Sequence, residues 1–120
     1  MGGHPNIVTI EQAATGAQTD VAIVTVAGGL KIVVTQIQVV TDNANTAFPQ
    51  IRVGFGAANT PTTTGVVLTH PGLPAGGGVS RGDGSGILGV GADGEDLRIT
   101  NAAPTGGSLR ILCSYYTIES

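Results

Sequence analysis

Short runs rich in Val, Ile and Thr recur from one end of the chain to the other, and clusters of Gly, Pro, Asn, Asp and Thr separate them. β-Branched side chains suit the pleated surface of a sheet and the separating residues are those that turn a chain, so the pattern reads as strands joined by turns. Eight strands are predicted, at residues 6–12, 20–27, 31–41, 50–56, 65–69, 85–91, 95–101 and 108–118. The 20 glycines argue against helix, because each costs a helix interior about 1 kcal/mol relative to Ala. With 120 residues, the chain is the size of one domain. The expected fold is all-β: a single-domain antiparallel β-sandwich, jelly-roll-like, over residues 1–120, with 1–6 as an N-terminal arm and 70–84 as a long loop.

Two spacers are short enough for hairpins: Gly28-Gly29, and "GADG" at 91–94. Two connections are longer, "GAANTPTTTG" at 56–65 and "HPGLPAGGGVSRGDG" at 70–84. A loop as long as the second is usually functional or mobile, which makes Arg81, Gly82 and Asp83 the candidate exposed loop contact.

Side chains alternate across a strand. In the last strand Leu109, Ile111, Cys113 and Tyr115 point one way, towards the expected core, while Arg110, Leu112, Ser114, Tyr116 and Ile118 point the other. In "KIVVTQIQVV" strict alternation sets Val33, Ile37 and Val39 against Ile32, Val34 and Val40, so both faces are apolar. An antiparallel sheet in a monomer normally keeps one polar face, so a cover is expected, and another copy of the chain is the simplest. The candidate oligomer interface is Ile32, Val34, Gln36, Gln38, Val40, Leu112, Tyr116 and Ile118, the two glutamines supplying hydrogen bonds at the contact.

Composition narrows the function. A net charge of −3 and five scattered cations, Lys31, Arg52, Arg81, Arg98 and Arg110, give no basic surface for phosphates, so no nucleic-acid partner is expected. No apolar run reaches the ~18 residues of a membrane span, and "MGGHPNIVTI" lacks the basic and long apolar regions of a signal peptide. Synthesis in the cytoplasm is expected. Cys113, the single cysteine, cannot form an internal disulfide and falls on the apolar face of a strand, where a thiol is inert. With no Gly-x-Ser-x-Gly elbow and aromatic residues at only 3%, neither an enzyme nor a sugar- or base-stacking platform is expected.

Three motifs need a reading. Gly89-x-Gly91-x-x-Gly94 has the spacing of a dinucleotide turn, but "EDLRIT" after it reads as a strand where that turn needs a helix, so a Gly-rich turn is the better account. Asp93, Glu95 and Asp96, even with Asp83 from another loop, match no EF-hand spacing, and three acids in a turn are ordinarily a solvated tip. His4 and His70 are far apart and lack metal-ligand neighbours. No cofactor and no metal is expected. Arg81-Gly82-Asp83 is the tripeptide that integrins read, yet Gly-Asp-Gly is ordinary turn chemistry.

The stretches "KIVVTQIQVVTDNANTAFPQIRVGFGAA" and "GEDLRITNAAPTGGSLRILCSYYTI", joined by a Thr- and Gly-rich connection, resemble small all-β virion proteins of tailed bacteriophages, the capsid decoration or cement proteins and related head and tail accessory proteins. The resemblance implies a homotrimer made in the bacterial host cytoplasm that sits on the capsid surface and binds the phage major capsid protein. It carries no shared binding motif; "MGGHPNIVTIEQ" is the segment expected to reach the shell. The alternatives are another phage head-fibre or tail accessory protein, and a secreted trimeric jelly-roll binding module that uses the Ser80–Gly84 loop.

Overall fold

The computed structural model describes residues 6–55, 66–84 and 86–120. Its strands are β1 (Val8–Ala14), β2 (Gln18–Val24), β3 (Leu30–Thr41), β4 (Ile51–Phe55), β5 (Val66–His70), β6 (Gly78–Arg81), β7 (Gly89–Val90), β8 (Leu97–Asn101) and β9 (Leu109–Glu119). They make two antiparallel sheets. One runs β1-β9-β3-β6 with β7 also on β3, and the other runs β2-β8-β4-β5.

β6 and β7 are two pieces of one edge strand. β6 pairs residues 37–40 of β3 and β7 pairs Val33 and Val34 further along the same edge, the chain leaving the sheet after Arg81 and returning to it at Gly89. Counted as one, they reduce the fold to eight strands in the order of a jelly roll, in which most links cross between sheets. The sandwich expected from the sequence is therefore the fold, with three corrections. The stretch expected as a loop at 70–84 contains β6, and the strand expected at 85–91 contracts to Gly89–Val90. β6 escapes a composition reading because Gly76-Gly77-Gly78 opens it, and Gly78 is there for closeness: a Cβ would lie 2.7 Å from Val40 Cγ1. The 56–65 connection lies outside the described residues.

The third correction concerns the short spacers. Gly28-Gly29 and the 91–94 turn form no hairpin; each carries the chain from one sheet to the other. The two crossings brace one another instead. Asp93 Oδ1 accepts from Gly29 N at 2.6 Å, and Gly94 N donates to the Leu30 carbonyl at 2.8 Å.

The core lies between the sheets. Ile32, Val34, Ile37, Val39, Leu109, Ile111 and Cys113 come from the first, and Ile51, Val53, Phe55, Leu97 and Ile99 from the second. Most of these are fully buried, each contributing about 1.5–3 kcal/mol relative to exposure. Ile32 and Val34 share a face with Ile37 and Val39 because β3 carries a bulge. Val34 pairs Tyr115 and Gln36 pairs Ser114, so Thr35 has no partner on β9 and the alternation shifts by one residue. The Thr35 hydroxyl donates to the Ser114 carbonyl at 3.1 Å inside the bulge.

Candidate contact face

The bulge decides what the first sheet presents outward. Before it, Lys31 and Val33 face out; after it, Gln36, Gln38 and Val40 do, beside Ser114, Leu112 and Arg110 of β9. Of the eight residues expected at an interface, Gln36, Gln38, Val40, Leu112, Tyr116 and Ile118 come together on this face. Ile32 and Val34 do not: both are fully buried in the core. Much of the apparent two-faced apolarity of "KIVVTQIQVV" is thus one face, read across a phase shift.

What remains apolar outside is a row across the sheet. Val33 is flanked by Val90 of β7 on one side and Tyr116 of β9 on the other, and Ile7 precedes Val8, the partner of Tyr115. Ile118 extends the row along β9. Val90 is 46% exposed, Ile7 45% and Ile118 40%, while Val33 at 2% is covered by its neighbours. The sequence reading missed Val33, Val90 and Ile7 here, because only the register of β7 and β1 on their neighbours aligns them. The other half of the face sets Val40 and Leu112 among polar side chains. Thr9 and Ser114 hydroxyls are 2.9 Å apart, and Arg110 donates to Glu11 at 3.1 Å in an exposed ion pair worth under about 1 kcal/mol.

The Arg81-Gly82-Asp83 tripeptide leaves the sheet opposite the bulge. Arg81 ends β6, and its guanidinium donates to the Val67 carbonyl of β5, so it ties one sheet to the other. Gly82 adopts φ of +81° and packs against the Thr35 carbonyl, leaving no room for a side chain. Gly84 N donates to that same carbonyl at 3.3 Å, and Leu88 N to Val34 O at 2.8 Å. Asp83 is exposed. The excursion is stitched to the β3 bulge at both ends, and its arginine is drawn to the neighbouring strand.

The remaining motif residues have structural work. A Cβ on Gly91 would lie 2.7 Å from Phe55 Cδ1, so the middle glycine of the dinucleotide-like spacing lies flat against a core ring, and β8 follows Gly94. The three acids expected as a solvated tip hold backbone amides. Asp93 accepts also from Ser120 Oγ at 2.8 Å, Glu95 from Ala92 N at 3.1 Å, and Asp96 from Val26 N at 3.0 Å. Among the described residues no group of three His, Cys, Asp or Glu side chains could hold a metal ion. His70 Nδ1 accepts from Gly72 N at 3.0 Å, closing a turn; His4 lies outside the described residues. Cys113 is fully buried between Ile10 and Ile37, and burial pushes its thiol up to about 12.

No protein-family model matches the chain, and no curated protein is significantly similar to it in sequence. Solved structures are similar in fold. A chain from the acid-stable capsid structure of Helicobacter pylori bacteriophage KHP30 superposes with a TM-score of 0.66 at 12% identity, covering 98% of this chain and 97% of that one. The sugar-binding C-terminal domain of EclA gives 0.44 at 13% identity over 95% of this chain and 80% of that one. A chain of infectious bursal disease virus, Gx strain, gives 0.37 at 15% identity over 98% and 32%. Only the first reaches the level at which a common fold is established, and there the likeness runs end to end.

Proposed function

We propose that this chain is a non-enzymatic virion structural protein, a capsid decoration or cement protein that binds the outside of an assembled phage head as a homotrimer and stabilises it. One observation carries the reading: the jelly roll matches, over nearly the whole of both chains, a chain found in a phage capsid structure. The mutual coverage of 98% and 97% means that the two chains are of similar length. The apolar row Ile7, Tyr116, Val33 and Val90 supports self-association, since it is the part of the first sheet's outer face that gains most from being covered.

Function in this reading is mass action. A ligand that binds the assembled shell and not free subunits stabilises the shell by an amount that rises with its free concentration relative to the dissociation constant. Three contacts on one trimer raise occupancy through effective concentration, so no single contact has to be tight.

The test is to add purified protein to undecorated capsids of the phage that encodes it. Saturable binding in multiples of three, with a higher capsid melting temperature, is the expected result. Unchanged capsid melting, with the protein recovered in a tail or fibre fraction, would replace the cement role by an accessory one. Absence from purified particles would end the virion reading.

A further inference from the structure

β4 runs through the second sheet between β8 and β5, and its alternation sends Ile51 and Val53 into the core and Arg52 outward. Arg52 stands between Thr100 of β8 and Thr69 of β5, its cross-strand partners. One bond beyond the end of the β4–β8 ladder, from Ala102 N to the Gln50 carbonyl at 2.9 Å, holds Gln50 against the chain that leaves β8. Gln50, Arg52, Thr100, Asn101 and Ala102 line a half-open recess of about 170 Å³. That volume admits several waters or a small polar group in their place.

The lining carries donors that nothing in the chain uses. Three of the four arginines are committed: Arg81 to the Val67 carbonyl, Arg98 to the Asp20 carbonyl and Asp96, and Arg110 to Glu11. The Arg52 guanidinium makes no hydrogen bond or ion pair with any described residue, and neither does the Gln50 carboxamide. Thr100 Oγ1 accepts from Asp20 N at 3.0 Å, which leaves its own hydrogen to give. Asn101 offers no competing acceptor, since its Nδ2 is taken by the Gly16 and Ala102 carbonyls and its Oδ1 is sealed from solvent. The Asp20 carboxylate, on the other side of β8, is sealed as well and does not line the recess. One guanidinium with two neutral donors matches a group that carries a single negative charge on two coplanar oxygens.

We propose that this recess is a carboxylate-binding site, in which Arg52 grips the group through its planar fork while Gln50 and Thr100 donate beside it. The source of the carboxylate rests on the cement reading: it is an Asp or Glu side chain of a shell subunit. The apolar row that supports self-association lies on the outer face of the first sheet and the recess on that of the second, so a trimer closed through the one leaves the other open to the shell.

Sodium acetate probes the site, and undecorated capsids probe the source of its ligand. In amide NMR of the full-length protein, acetate should produce saturating shifts at Gln50, Arg52, Thr100 and Ala102 with Kd on the order of 10 mM, and NaCl at equal ionic strength should not. Arg52→Gln, at an exposed position, should leave the melting temperature in place and weaken acetate binding at least about tenfold. On capsids the same variant should lose affinity by more than that factor, because each proposed trimer gives up its contacts together. Absence of saturation, shifts that chloride reproduces, or shifts that persist at these amides in Arg52→Gln overturn the proposal. Capsid binding by the unmodified protein that Arg52→Gln equals overturns the shell carboxylate as the ligand. Where neither protein binds capsids, it is the cement reading that fails, and the acetate titration decides the site by itself.

Discussion

Replacing Ile32 by Ala tests the bulge that organises β3. Were the strand to alternate strictly from Val39 back, Ile32 would face outward and its truncation would change stability by under about 0.5 kcal/mol, as at most surface positions. The bulge at Thr35 instead puts Ile32 in the core, fully buried. Removing three buried carbons costs about 2.4 kcal/mol in transfer free energy, and incomplete collapse of the site adds about 1 kcal/mol more. The expected loss is about 3–4 kcal/mol, a large share of the 5–15 kcal/mol typical of a domain. Equilibrium unfolding in urea should show a lower midpoint at unchanged slope. Ser80→Ala, exposed on the outer side of β6, is the control and should leave the midpoint in place. An Ile32→Ala loss below about 1 kcal/mol would refute the bulged register, and with it the composition of the outer face.

Gly91→Ala brings a Cβ to 2.7 Å from the Phe55 ring and should cost about 1–3 kcal/mol, read as a lower melting temperature. Val90→Glu, on the exposed apolar row, should convert the proposed trimer of 11.9 kDa chains to monomers in light scattering while far-UV circular dichroism stays that of a β-sandwich; an unchanged mass removes this row from the interface. Cys113 holds its proton to about 12 in the folded state against an ordinary 9.0, so between these values the unfolded chain binds fewer protons and stability falls as pH rises. Cys113→Ala should flatten that decline in denaturation midpoints measured from pH 8.5 to 10.5, and native protein should react with a thiol reagent only as fast as it unfolds.

Much of the candidate face was legible in the sequence. The last strand could be divided into faces from alternation alone, and Leu109, Ile111 and Cys113 are in the core while Leu112, Tyr116 and Ile118 are out. The same reasoning misassigned Ile32 and Val34, because alternation has no memory of an inserted residue: Thr35 is as ordinary within a β-branched run as any of its neighbours. Arg81 was legible as part of a tripeptide in a loop but not as the end of a strand, since the carbonyl that draws its guanidinium lies 14 residues away.

By itself the sequence determined the class of structure, one all-β domain in which short β-branched segments and glycine-rich turns leave a sandwich as the way to bury the apolar faces. Those are local properties, set by backbone conformation and side-chain period. Only the tertiary structure decided that Gly28-Gly29 and the 91–94 turn cross between sheets, that β6 and β7 share one edge of β3, and that β2 bulges between Gln18 and Val21 where it pairs β8. The physical reason is that pairing partner and register depend on which distant segments bury their apolar faces together, and a single inserted residue can turn every following side chain to the other side of the sheet.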